Sequence, residues 1–420
     1  MAMKTDDALK DPGTGARGPT LPWCMLVAAG LVVSQVALAM VLSGKGDLVG
    51  AYRSLYCWDG DWYRSIVEKG YYSPPEWTPG EERNVAFFPG YPLLAGFVAR
   101  LFHLDAPTAL VLTAQLACWG FWTYFLLLCH RGGGPRWPIL WMVLILALYP
   151  ASYYLVASYS ESLFLLCTLG FIYWSDRPGP TAYLLAAVHG FVMTATRLVG
   201  VPLVVYPLLR AWLCRPENGS RTWAALLRRS VAPLLVGVLA SLGAASYFAF
   251  CQVRFGQWDL YMKAEEVGWM VKPDYFALFS WRTYNICFAF TPEGELQTCS
   301  LDGGFALVFL LLFITLLVVE FRLRHRPGMA TGQRLALYFC AWSLFYIPLC
   351  AAAPRVMSSM VRFLLCVYVV LALAVQDLLG RLYPAGPPRW LRVLLLGWLT
   401  ISFLSLLVLA WRFTHGQWVA

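Results

Sequence analysis

The chain has 420 residues, 59% of them hydrophobic and only 13% charged, with a mean hydropathy of +0.60. Repeated apolar runs of about 20 residues within such a composition exclude a soluble globular protein and mark a polytopic membrane protein. The net charge of +9 does not point to nucleic acid, because the basic residues are scattered through short loops between apolar runs rather than gathered on one domain.

Residues 1–21 are polar and rich in Gly, Pro and Asp, and read as a disordered cytosolic tail. The apolar run that follows, Pro22 to Ser43, is too long for a signal-peptide core and reads as a retained first span. An outer loop over 44–106 comes next. Within it, Gly90 to Phe102 is apolar but short, which suits an interfacial or re-entrant helix rather than a crossing. Further spans are expected near 107–129, 137–156, 160–175, 181–196, 198–213, 230–252, 303–321, 334–353, 361–378 and 390–411, with a second outer loop over 254–302. The fold class is therefore all-α and polytopic, one transmembrane domain over 22–420 with about eleven helices. With the N-terminus inside, the Arg-rich loops, such as Arg228/Arg229 and RLRHR at 322–326, all fall inside. Making 90–102 a full crossing would invert every later loop and break this pattern.

The first long polar interruption runs from Trp58 to Pro92. Read as a helix over Trp58–Tyr71, it places Trp58, Trp62, Tyr63, Ile66 and Val67 on one face and Asp61, Arg64, Glu68 and Lys69 on the other. Asp59 falls in the middle of the apolar arc. A carboxylate there is costly unless something uses it, which makes Asp59 a functional candidate; helix capping is its alternative reading. Asp61 sits among charges, within reach of Arg64 for an ordinary surface pair.

On the same outer face, the polar residues at membrane depth are Asp59, Tyr159, Ser160, Glu161, Arg197, Arg355 and Arg362. One carboxylate among several arginines suits an anionic, lipid-linked substrate, since the guanidinium matches phosphate with a planar fork of donors. Snorkelling is the alternative for each arginine, and a structural pairing with one of them is the alternative for Glu161. His189, alone in an apolar span, reads as a packed, hydrogen-bonded histidine. The 12 cysteines contain no C-x-x-C pair, and Cys57 and Cys299, both in outer loops, are either bridged or free.

The motifs WDG at 58–60, WY at 62–63, GY at 70–71 and AFFPGYPLL at 86–94 resemble the first luminal loop of the PIG-V family, the second mannosyltransferase of GPI-anchor assembly, and its prokaryotic relatives. SYSESLF at 158–164 resembles that family's Y-S-E-S motif, with looser likeness at ATR (195–197) and MVRF (360–363). The resemblance implies a GT-C glycosyltransferase that moves mannose from a polyprenyl-phosphate carrier to a lipid or glycan acceptor on the non-cytosolic face. It implies an acidic base in the first outer loop, here Asp59.

In that reading Arg197, Arg362 and Arg355 hold the phosphate, Tyr159, Ser160 and Glu161 line the sugar or acceptor site, and Asp61 is a further substrate-binding residue. No cofactor and no obligatory metal are expected, because the side chains of Asp59 and Asp61 diverge by about 200° on a helix. A flippase for lipid-linked sugars is the alternative from another class, and a transferase of another sugar or to a protein acceptor is the nearest rival. The expected setting is a bacterial cytoplasmic membrane or the endoplasmic reticulum membrane.

Overall fold

In a computed structural model, the chain is described over residues 20–73, 76–131, 134–214, 222–284, 299–324, 331–352 and 359–417, without the side chains of 282, 299–301 and 352. The expected tail, Arg355 and the Cys57–Cys299 pairing lie outside these residues or side chains. The helices are α1 (Leu21–Leu42), α2 (Leu48–Arg53), α3 (Asp59–Lys69), α4 (Gly90–Phe102), α5 (Ala106–His130), α6 (Arg136–Ala147), α7 (Glu161–Ser175), α8 (Pro180–Thr196), α9 (Tyr206–Leu213), α10 (Trp223–Phe255), α11 (Leu260–Lys263), α12 (Cys299–Leu323), α13 (Gly332–Ala352), α14 (Met360–Leu382) and α15 (Arg389–Thr414). Among the described residues there is no strand.

Seven helices, α1, α5, α10, α12, α13, α14 and α15, are long and apolar enough to cross a membrane, and the chain is a multi-pass membrane protein. The expected count of about eleven needs four shorter segments as well: α6, α7 and α8, of 12, 15 and 17 residues, and the apolar stretch Leu198–Leu213. Each falls below the ~20 residues of a full crossing.

Two of these are short because of proline. The span expected over 137–156 leaves α-helix after Ala147, just before Pro150, and continues as a 3-10 turn at Ser152–Leu155. Leu198–Val205 is likewise 3-10, with Pro202 inside it, before α9 begins.

The spanning stretches of α13 and α14 are each 67% buried and those of α1 and α15 only 22% and 28%, so the first pair is central and the second faces lipid. Helices α8 and α10 pack along one another through small residues. A Cβ on Gly243 would fall 1.9 Å from the Phe191 carbonyl oxygen, and the Thr194 hydroxyl donates across the seam to the Ala240 carbonyl at 2.5 Å. α4 is 13 residues long, buries Tyr91, Pro92, Ala95 and Val98, and exposes Leu93, Phe97 and Leu101. That is the division expected of a helix lying in the interface.

His189 is packed and bonded as expected, through Nε2 to the Tyr124 hydroxyl at 3.2 Å and Nδ1 to the Leu185 carbonyl at 2.7 Å. Chain direction then sorts the polar side chains into two ends. α7 starts at Glu161, α8 returns to Arg197 and α14 starts beside Arg362, so these three share one end. Far along the same helices lie Asp176 and a second ionic group. There Arg334, 1% exposed, binds Glu320 at 2.5 and 3.1 Å and Asp377 at 2.5 Å, bracing α12, α13 and α14.

Candidate functional site

The site is built where the start of α3 meets the segment leading into α7. The Ser158 amide donates to the Leu55 carbonyl at 3.1 Å, laying residues 158–161 beside the turn that precedes α3. The approach is close enough to require a glycine: a Cβ on Gly60 would lie 2.5 Å from the Ser158 hydroxyl oxygen and 3.0 Å from the Tyr56 ring. Trp58 immediately precedes α3 with φ of +55°, a left-handed conformation uncommon outside glycine. The cap position is thus held by Trp58, and Asp59 is the first helical residue, so the capping reading of Asp59 does not hold.

Asp59 instead accepts from Arg362, Nη1 to Oδ2 at 2.8 Å, across 303 residues of sequence. The same guanidinium donates through Nε to Oε1 of Glu161. Arg197 Nη1 donates to that same oxygen at 2.5 Å. The result is a continuous chain, Asp59 to Arg362 to Glu161 to Arg197. Glu161 is fully buried, and the side chains of Arg362 and Arg197 are 8% and 15% exposed, whereas Asp59 retains 19%. The carboxylate at the rim is therefore Asp59. Glu161 is the shared counter-ion beneath, which agrees with its reading as an arginine partner.

Aromatic residues hold this chain in place. The Arg362 guanidinium lies 4.4 Å from the Tyr159 ring centre and 5.1 Å from that of Tyr154, an arrangement that fixes its plane. The Tyr63 hydroxyl donates to Ser160 at 3.0 Å, and Tyr63 itself packs edge-on against Tyr91 and Phe87. The AFFPGYP segment is seated in turn against the end of α8. A Cβ on Gly90 would come within 2.5 Å of Thr196 Oγ1 and 2.9 Å of the Ala195 carbonyl oxygen, directly before Arg197. Asn84 closes the loop between α3 and α4 by donating to Ser65 and to the Gly70 carbonyl and accepting from the Tyr72 amide.

Of the residues expected at the site, Asp59, Tyr159, Ser160, Glu161, Arg197 and Arg362 come together. Asp61 stands apart: it is exposed and accepts from the Tyr56 hydroxyl at 2.7 Å. Its expected pairing with Arg64 is not formed, because Arg64 reaches one turn forward to Glu68 at 2.9 Å.

The segment between α10 and α12 adds a group that sequence reasoning passed over. After α11 the backbone widens into one π turn, Ala264–Gly268, packed so tightly on the first loop that a Cβ on Gly268 would lie 3.0 Å from the Glu81 carbonyl oxygen. Trp269 rests on Trp62 and Phe87, and Lys263 and Arg83 both approach the Trp77 ring. Glu265, within this turn, is pushed up to about 7, first by burial and further by the negative charge of Asp59, against a lowering contact from Tyr261. π turns often accompany functional sites, but no sequence periodicity distinguishes Glu265 from Glu266.

A carboxyl raised in this way favours the folded chain while protonated, and that contribution is lost as pH rises through about 7. The thermal midpoint of the purified chain is thus expected to fall between pH 5.5 and 8.5, and to fall less in Glu265→Gln. Equal slopes for the two proteins would show that Glu265 ionises as an ordinary surface group.

A scan against protein-family models finds no match, and no curated protein matches the chain. Among solved structures, the chain is similar to the Archaeoglobus fulgidus oligosaccharyltransferase in its apo form, with 13% identity and a TM-score of 0.48 over 92% of this chain and 56% of that one. It is also similar to the archaeal oligosaccharyltransferase AglB from Archaeoglobus fulgidus in complex with an inhibitory peptide and a dolichol-phosphate, with 12% identity and a TM-score of 0.46 over 92% of this chain and 56% of that one. A third likeness, to the S. cerevisiae protein O-mannosyltransferase Pmt1-Pmt2 complex bound to the sugar donor, has 12% identity and a TM-score of 0.38 over 57% of this chain and 36% of that one. The chain spans little more than half the length of the first two and about a third of the last. At these scores the likenesses assign no chemistry to it.

Proposed function

We propose that the chain is an inverting glycosyltransferase that takes a sugar, mannose by its sequence resemblance, from a polyprenyl-phosphate carrier on the non-cytosolic face and passes it to a lipid-linked or glycan acceptor. The observation that carries this reading is the ionic chain from Asp59 through Arg362 and Glu161 to Arg197. Two carboxylates balance two guanidiniums there. An incoming phosphodiester adds one negative charge and competes with Asp59 for Arg362, whose five donors are only partly engaged by Asp59 and Glu161.

Donor binding thereby releases Asp59 from its ion pair and restores it as a base. Asp59 takes the proton of the acceptor hydroxyl as that oxygen bonds to the anomeric carbon. The bond from that carbon to the phosphate oxygen breaks on the opposite side, and polyprenyl phosphate leaves with its electron pair. Arg362 and Arg197 meet the charge that grows on the departing phosphate. Tyr159, Ser160 and Glu161, buried beneath the guanidiniums, act as positioning residues, and no obligatory metal is proposed.

The test is the stereochemistry and the donor class of the reaction. One product anomer, inverted relative to a polyprenyl-phosphate donor, with a nucleotide-sugar inactive and a chelator without effect, is the expected result. Retained configuration, or use of the nucleotide-sugar, would overturn it.

Gly60 provides a separate check. Gly60→Ala drives a methyl against Ser158 and displaces the start of α3, so transfer is expected to drop by about 10- to 100-fold. Adding Ser158→Ala, which removes the clashing oxygen, should recover part of the loss. No recovery in the double variant would mean that the glycine is needed for some other reason.

A further inference from the structure

The end of the bundle opposite Asp59 holds a cavity of about 400 Å³, lined by Asp176, Arg177, Tyr183, Arg210, Arg229 and Pro233 among others. It lies about 22 Å from Glu161, the length of α7. Asp176 is already saturated: it is bound by Arg210 at 2.6 Å, Arg131 at 3.2 Å, the Tyr206 hydroxyl at 3.0 Å and Gln333 at 3.0 Å.

Arg177 and Arg229 are left over. Arg177 lies over the Tyr173 ring at 3.7 Å, and neither arginine has a carboxylate partner among the described residues. Two cationic forks, a half-buried Arg177 and an exposed Arg229, thus line a cavity whose carboxylate, Asp176, is already engaged by other partners, where the ends of α7, α8, α9 and α10 meet. From the rim, exposed apolar side chains run along the same helices: Leu184 and Val188 on α8, Leu234 and Val238 on α10.

We propose that this cavity is a binding site for the phosphate headgroup of an anionic glycerophospholipid. Arg177 and Arg229 grip the phosphate, and the acyl chains lie along the exposed apolar faces of α8 and α10. The apolar track beside the cavity is what selects a lipid over a free phosphate. The site is separate from the proposed transfer chemistry and stands or falls without it.

The test is thermal unfolding of the delipidated full chain in detergent, with added dioleoyl phosphatidylglycerol, dioleoyl phosphatidylcholine or inorganic phosphate at equal concentration. Phosphatidylglycerol is expected to raise the midpoint by at least about 3 °C over phosphatidylcholine. Arg177→Gln/Arg229→Gln should lose that rise, and Arg389→Gln, a charge change outside the cavity, should keep it. If the double glutamine variant does not fold, Arg177→Lys/Arg229→Lys, which keeps the charge but not the fork, should show a reduced rise. An equal rise with inorganic phosphate would assign the cavity to a soluble ligand and overturn the lipid site. So would no rise with either, or an equal loss in Arg389→Gln.

Discussion

Asp59→Asn is expected to lower the turnover of glycosyl transfer by about 10²- to 10⁴-fold, the usual contribution of a general base, while Asp61→Asn stays within about twofold of wild type. The contrast follows from geometry. Both carboxylates open the same helix, but only Asp59 meets Arg362, and Asp61 is turned outward to Tyr56. Asn at 59 keeps the size and the hydrogen-bond acceptor and removes the basic oxygen, so the loss should fall on turnover rather than on donor affinity. With the competing anion gone, donor binding should even tighten, because the phosphate no longer displaces a carboxylate from Arg362. A steady-state comparison of kcat and KM for the three proteins is the check. Equal losses for both variants would mean that the start of α3 needs its acidity in general and not Asp59 in particular.

The second large effect is expected at Glu161, and it concerns the fold. Glu161→Gln leaves two largely buried guanidiniums without their shared counter-ion, and removing one partner from a buried ionic group costs about 3–5 kcal/mol. The variant should show a markedly lower unfolding midpoint, or should not accumulate at all. Glu161→Asp keeps the charge and should recover part of the stability. If Glu161→Gln is as stable as wild type and only inactive, the glutamate faces substrate directly and its role as a buried counter-ion is wrong.

Much of this arrangement was legible in sequence because the membrane makes polarity expensive. A helix wheel isolated Asp59 since a carboxylate on an apolar arc is costly, and the same reasoning gathered Tyr159, Ser160, Glu161, Arg197 and Arg362 on one face. What it left open was connectivity. Arg362 bridges Asp59 and Glu161 from 303 and 201 residues away, and charge alone does not say which arginine serves which acid.

Backbone details were hidden for other reasons. Apolar runs show where a segment is buried but not where proline interrupts it, so the spans at 137–156 and 198–213 came out as shorter helices joined to 3-10 turns. Glu265 was missed because its setting comes from a π turn pressed onto the first loop, a tertiary fact without a local signature. Gly60 and Gly90 carried a legible hint, each lying in a motif, but the side chains they make room for come from distant segments.

The most direct measurement of the central claim is transfer of radiolabelled mannose from polyprenyl-phosphate-mannose by the purified wild-type chain in lipid bilayers, with membrane extract supplying acceptors. A labelled product whose formation requires the polyprenyl-phosphate donor is the expected result. A folded chain that transfers nothing from this donor or from other polyprenyl-phosphate sugars would contradict it.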